Sequence, residues 1–234
     1  MDPVYRDRAV YLDGTLVLAD LHFGKAAASN VEFPLGAEDD AVDRLRDSLA
    51  HFEPAEVVLA GDVFHTFEYV PDGAEDALAA VVRAVREAGA ELVVVEGNHD
   101  AMLDSVYAGE VCQAYELSGS ERDETTVVCH GHEEPDRRAD RYVIGHDHPA
   151  IVIEGQKRPC FLDGRGVYRR SDVLVVPSFN RMVAGVSVNG RLGASRPELS
   201  PLVTRVGEFR PVVYDDEAGE TLEFPPLSQF QKML

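Results

Sequence analysis

Seven of the eight histidines sit in five short segments that also carry well-placed acids. The segments are Asp20-Leu21-His22, Gly61-Asp62-Val63-Phe64-His65, Gly97-Asn98-His99-Asp100, His130-Gly131-His132 and Gly145-His146-Asp147-His148; only His51 stands apart. Histidine is the commonest metal ligand and titrates near neutrality, so gathering it with carboxylates predicts a metal site built for chemistry. Mixed Asp, His and Asn donors suit borderline divalent ions such as Mn²⁺, Zn²⁺, Fe²⁺ or Co²⁺, whereas Ca²⁺ prefers all-oxygen cages and structural zinc prefers thiolate. About seven such donors are too many for one tetrahedral ion and fit two ions roughly 3.5–4 Å apart that share a carboxylate.

Three of the segments follow apolar strands directly: Asp20 after Leu16 to Ala19, Asp62 after Val57 to Gly61, and Asn98 after Leu92 to Gly97. In a parallel sheet such strand ends lie side by side on the carboxyl edge, where open α/β sheets bind ligands. Asp20 and His22 have i, i+2 spacing, which on an extended segment points both to one side; His146 and His148 repeat it. Glycines ahead of Asp62, Asn98 and His146 permit sharp bends.

Around these anchors, Arg8 to Asp20 reads as a hairpin turning on Asp13-Gly14. Residues 23 to 37 read as a surface loop with Pro34 and Gly36 as breakers. Residues 38 to 50 and 73 to 88 carry helical spacing, the second closed by Gly89. Strand–helix–strand–helix–strand at this spacing implies right-handed parallel crossovers. From about residue 111 the pattern changes to short strands: 111–117, 125–129, 141–144, 150–154, 159–162, 173–176, 183–188, 202–206, 209–214 and 221–224. Asp163-Gly164 and Asn189-Gly190 read as tight turns. This β-rich half must pack on the first sheet to hide its apolar face. No linker, repeat or low-complexity tract divides the chain, which predicts one domain over 1–234.

The formal net charge is -20, with only three lysines (Lys25, Lys157 and Lys232) against nineteen arginines. Such a field opposes nucleic-acid binding at ordinary ionic strength, but the Debye length falls to roughly 3 Å at 1 M salt and removes that objection. Acid-rich, lysine-poor composition resembles that of proteins from salt-loving archaea, so the charge is read as adaptation to solvent. Cys112, Cys129 and Cys160 are sparse and lack metal-type spacing, as expected in a reducing cytosol. The first ten residues lack a signal-peptide core, and no apolar run approaches the ~20 residues of a membrane span. A cytoplasmic protein without membrane partners is expected.

D-x-H, GD, GNHD, H-x-H and GH-x-H, in this order over residues 15 to 148, resemble the calcineurin-like metallophosphoesterase superfamily. A weaker likeness continues through Pro177-Ser178-Phe179-Asn180. The form GDxxH is similar to the ICC-like archaeal and bacterial subgroup, which includes a ligase-associated DNA-repair endonuclease. The resemblance implies a four-layer α-β-β-α sandwich of two mixed sheets. It implies a first ion held by Asp20, His22 and His148, a second held by Asn98, His130 and His146, and Asp62 bridging them. The ions would be Mn²⁺ first, with Zn²⁺, Fe²⁺, Ni²⁺ or Co²⁺ as alternatives, and would activate a bridging hydroxide. His99 would not be a ligand but would face the leaving group, protonating the departing oxygen or stabilising its charge.

The implied function is a phosphodiesterase or nuclease acting on DNA or nucleotides. The alternatives are a phosphomonoesterase or small-nucleotide hydrolase with the same metals, or a noncatalytic scaffold. The neighbouring residues keep two readings each. Lys25 is a phosphate contact or a solvated loop lysine, and His132 caps a turn or lines the cleft. Asp100 is read as a structural acceptor for backbone rather than a catalyst. His65 stands where the commoner pattern has an acid that orients the catalytic histidine, a role whose negative charge it cannot supply. Arg137, Arg138 and Arg141 are phosphate binders or members of ordinary surface ion pairs.

Overall fold

The computed structural model describes residues 2–25, 36–118, 124–190 and 198–230. The first sheet contains β1 (Val4–Arg6), β2 (Ala9–Leu12), β3 (Thr15–Leu18), β4 (Glu56–Ala60), β5 (Glu91–Val95) and β6 (Val111–Cys112), in that spatial order. The first three strands pair antiparallel and the last four run parallel. The crossovers are α1 (Ala37–Phe52) and α2 (Ala74–Glu87), which pack together over one face. Every residue of β3 and β4 is buried. That follows from covering both faces of a parallel sheet, and it explains why these strands read as continuous apolar runs.

The second half supplies β7 (Ala114–Glu116), β8 (Thr126–Cys129), β9 (Arg141–Ile144), β10 (Pro149–Ile153), β11 (Gln156–Pro159), β12 (Phe161–Tyr168), β13 (Ser171–Val175), β14 (Val186–Ser187), β15 (Arg210–Asp215) and β16 (Glu220–Glu223). Seven of them form a mixed sheet in the order β16-β15-β12-β13-β9-β8-β7, and β11-β10-β14 forms a small third sheet. Val17, Val58 and Val95 from the first sheet meet Val128, Val143 and Leu174 from the second in a dry layer between them. The outer face of the second sheet is covered by β10, by irregular chain around Leu202 and Phe209, and by the short α3 (Leu227–Phe230). The architecture is the expected mixed α/β sandwich. Among the described residues no helix is long and apolar enough to cross a membrane.

Three expectations are corrected. The strand expected at 111–117 is split between β6 in the first sheet and β7 in the second. Residues 202–206 form turns rather than a strand; Leu202 and Val203 are apolar because this irregular segment packs on the second sheet. Asp163 and Gly164 lie inside β12, and the turn falls at Arg169 and Arg170, both with positive φ. Gly164 is there for packing, since a Cβ would strike the Phe209 ring. Of the loop expected at 23–37, residues 26–35 lie outside the described residues.

Parallel strands put their carboxyl ends at one edge of each sheet. Asp20 follows β3, Asp62 follows β4, Asn98 follows β5, His130 follows β8, and His146 follows β9. The two edges face each other across the dry layer, which places all five histidine-bearing segments in one cleft.

Candidate metal centre

One ligand atom from each of Asp20, His22, Asp62 and His148 falls within 4.8 Å of the others. This is the set implied for a first ion together with the bridging carboxylate. His130 brings in the remaining donors: its Nε2 lies 3.1 Å from Asn98 Oδ1 and 3.4 Å from Asp62 Oδ1. The His146 ring stands 5.1 Å from the His130 ring, centroid to centroid.

The spacings are compatible with a shared cation as well as with hydrogen bonds between the side chains. His22 Nε2 and His148 Nε2 face each other at 3.2 Å, and His148 Nε2 lies 3.3 Å from Asp20 Oδ1. Donors on a tetrahedral ion with bonds of about 2.0–2.1 Å are separated by about 3.3 Å, close to these two distances, while His22 and Asp62 stand wider at 3.8 Å. Asp20 and Asp62 are 0% and 2% exposed, and among the described residues neither has a lysine or arginine partner. Two buried carboxylates whose ionic partners among the described residues are all histidines carry a heavy desolvation cost, so the site is suited to receive positive charge.

Histidine protonation supplies some of that charge. Burial pushes His22 down to about 4 in spite of the acids beside it. Burial together with the neighbouring His130 likewise lowers His146 to about 4. At His130 burial opposes the charge, yet Asp62 and Asp20 raise it to about 9. His148 is raised as well, because Asp20 outweighs burial. Burial would lift the Asp62 carboxyl, but His130 and His22 hold it well below the ordinary range. Cation binding here displaces protons from the raised histidines.

The backbone is bent to achieve this. Asp20, His22, Asp62, His146 and His148 all have φ between 44° and 66°. The left-handed region costs an L-residue on the order of 1–2 kcal/mol, and such strain collects at functional sites. Convergence of Asp20 with His22 and of His146 with His148 therefore comes from left-handed bends, correcting the extended i, i+2 geometry expected from spacing. Gly97 and Gly145 contribute by lacking a Cβ rather than by unusual φ. A methyl at Gly97 would strike the backbone and carboxylate of Asp62, and one at Gly145 would strike Ala19 and Asp20.

Hydrogen bonds lock the loops. Asp20 accepts the His146 N–H at 3.1 Å, and Asp62 Oδ1 accepts the His99 N–H at 2.9 Å. His130 Nδ1 donates to the Ala60 carbonyl at 2.9 Å, leaving Nε2 free to face Asp62 and Asn98. Asp100 accepts from the N–H groups of Phe64 and Gly97, which matches its structural reading; burial raises its carboxyl to about 6. Asp147 is buried and accepts the Ser200 N–H, and the Ser200 hydroxyl donates to the Gly131 carbonyl, tying the H-x-H and GH-x-H loops together.

His99 also borders the carboxylates but is not one of the four residues whose ligand atoms cluster together. Its Nε2 is 3.8 Å from Asp62 Oδ2, and its Nδ1 donates to the backbone carbonyl of His65 at 2.9 Å. The carbonyl thus does the orienting that an acidic side chain would otherwise do, while the His65 ring stacks parallel to His99 at 6.2 Å. Burial, with the charge of nearby Lys25, lowers the His65 pKa. His132 lines a cleft of about 520 Å³ that runs from His130 toward Arg137. Arg137 pairs with Glu116 at 3.9 Å and Arg169 with Glu134 at 2.8 Å, the ordinary surface pairing. His51 is exposed in the last turn of α1.

Sequence spacing gave no role to Ser178 and Asn180. The Ser178 hydroxyl donates to the Asp20 carbonyl at 2.7 Å, and the Asn180 amide donates to the Leu21 and His22 carbonyls at 2.8 and 3.2 Å. Arg44 anchors this brace from α1 by donating to the Phe179 carbonyl at 2.6 Å. Asn180→Ala leaves every donor atom in place but frees the Asp20-His22 loop. The expected result is a roughly 10- to 100-fold loss of divalent-metal affinity, read by calorimetric titration of metal-free protein, with the fold intact by circular dichroism.

A family model described as calcineurin-like phosphoesterase matches residues 15–152. No curated protein matches the chain. Among solved structures, Pseudomonas putida nuclease MPE aligns with a TM-score of 0.60 at 21% identity, over 95% of this chain and 99% of that one. The E. coli phosphoesterase Yfce aligns with a TM-score of 0.46 at 13% identity, over 91% of this chain and 98% of that one.

Proposed function

The chain belongs to the calcineurin-like phosphoesterase family, and from that premise we propose that it is a single-domain phosphodiesterase acting on DNA or nucleotides at a two-ion centre. Asp20, His22 and His148 would hold one ion, Asn98, His130 and His146 the other, with Asp62 between them. When bound, two divalent ions, Mn²⁺ first among the candidates, screen the phosphate charge and supply an acidified water as nucleophile.

The protein's own groups do the rest. Asp20 and Asp62 set the charge of the donor cage, and the left-handed loops hold it open toward the cleft. The observation that carries the diester reading is His99. Its Nδ1–H is committed to the His65 carbonyl, so Nε2 is the atom turned toward the reacting phosphate. An imidazolium there hands a proton to the departing ester oxygen. Poor alkoxide leaving groups, such as the sugar hydroxyls released from a nucleic-acid diester, need that proton most.

Metal-free protein reloaded with Mn²⁺, Zn²⁺, Fe²⁺, Ni²⁺ or Co²⁺ tests the reading. Bis-p-nitrophenyl phosphate should turn over faster than p-nitrophenyl phosphate, followed by cleavage of single-stranded or duplex DNA at low and molar salt. Two ions per chain should be retained by elemental analysis. Preference for the monoester would favour a phosphomonoesterase instead, and a lack of turnover with every ion would end the enzymatic reading of this site.

A further inference from the structure

Among the described residues only four large hydrophobic side chains are well exposed, and the two aromatic ones, Phe67 and Tyr69, are at 50% and 57%. Both belong to the loop that leads from Asp62 to α2. An aromatic ring left in water forgoes the stabilisation of burial, so two of them two residues apart in one loop, the first against His99, call for an occupant.

The loop is held in place rather than left free. The His65 N–H donates to the Phe23 carbonyl at 3.0 Å, and Pro71 packs so closely on Gly24 that a Cβ there would not fit. The Thr66 hydroxyl closes the turn on the Tyr69 carbonyl at 2.5 Å. Phe67 stacks on the His99 ring at a centroid distance of 3.8 Å, tilted by 26°. His99 Nε2 is in turn 3.8 Å from Asp62. The order outward is therefore carboxylate, imidazole, phenyl ring, so if His99 faces the leaving group, Phe67 stands on that same side.

We propose that Phe67, flanked by Tyr69, is a stacking platform for a nucleobase, and that the preferred substrate is a nucleoside-bearing phosphodiester read without regard to base identity. This rests on the phosphodiesterase reading above. The phosphate goes to the donor cage, the sugar spans the His99 edge, and the base lies on the aromatic surface. Stacking suits a chain of net charge -20. A polyanion gains little from this protein's overall field, whereas base–aromatic stacking needs no positive charge, survives high salt and accepts every base.

The test compares thymidylyl-thymidine with its two singly abasic analogues, using metal-loaded protein. Wild type should cleave the base-bearing compound with kcat/KM about tenfold or more above that of one abasic analogue. Phe67→Ala and Tyr69→Ala should each collapse that ratio, while Leu222→Ala, at an exposed apolar position on β16, should preserve it. The ratio separates stacking from support of His99, because a Phe67 that only positioned the imidazole would lower all three substrates alike. Calorimetry gives a readout without turnover: thymidine 5′-monophosphate should bind more tightly than deoxyribose 5-phosphate, and Phe67→Ala should erase the difference. Equal rates for base-bearing and abasic diesters, with diester cleavage intact, overturn the platform alone. Failure to cleave any diester overturns both the platform and the reading beneath it.

Discussion

Asp62→Asn lowers diester turnover by on the order of 10³-fold or more and reduces the bound metal from two ions per chain to one. Removal of an outer-shell partner already costs about 10- to 100-fold, and at the proposed two-ion centre Asp62 would be a direct ligand shared by both ions. Its two oxygens divide the work: Oδ1 lies 3.4 Å from His130 Nε2, and Oδ2 lies 3.8 Å from His22 Nε2. An asparagine keeps an oxygen to accept the His99 N–H, so the GNHD loop stays in place and only the charge disappears. Two dications about 3.5–4 Å apart would repel strongly, and a carboxylate shared between them would offset that repulsion. Elemental analysis after desalting, with steady-state assays on the same sample, reads both effects. Full two-ion occupancy with near-normal turnover in this variant would remove Asp62 from the bridging position.

Much of this centre was legible because its parts are local. Continuous apolar runs at β3, β4 and β5 marked buried parallel strands, and the polar residue after each run marked the sheet edge. What spacing could not show was how donors converge. Left-handed φ at Asp20, His22 and His148 has no local sequence signal, since these are not glycines. The braces were hidden for a related reason: Ser178 and Asn180 meet the Asp20-His22 loop across some 158 residues of chain. A backbone carbonyl leaves no mark in sequence at all, so the His65 oxygen that meets His99 Nδ1 has no signal beside that of the His65 side chain. The turn in the second half shows the same limit. Asp163-Gly164 has turn composition, but its glycine makes room for Phe209, whereas the real turn uses Arg169 and Arg170. Local composition reports what a residue permits, and tertiary packing decides which permission is used.

His99→Ala produces a loss that depends on what is leaving. With a poor alkoxide leaving group, as in a dinucleotide, kcat should fall by about 10²- to 10⁴-fold, the usual span for a general acid. With p-nitrophenolate, whose oxygen departs without a proton, the fall should be small. The variant is clean for a structural reason: the bond that secures this loop is made by the His99 backbone N–H to Asp62 and survives the substitution. Metal content should therefore stay at the wild-type value. A series of aryl methyl phosphates spanning leaving-group pKa measures the effect as a slope, steeper for the variant than for wild type. A uniform loss across the series would mean that His99 shapes the donor cage or binds the phosphate instead of handing over a proton. A steepened slope with unchanged metal content assigns the proton to Nε2, the one ring nitrogen that the His65 carbonyl leaves free.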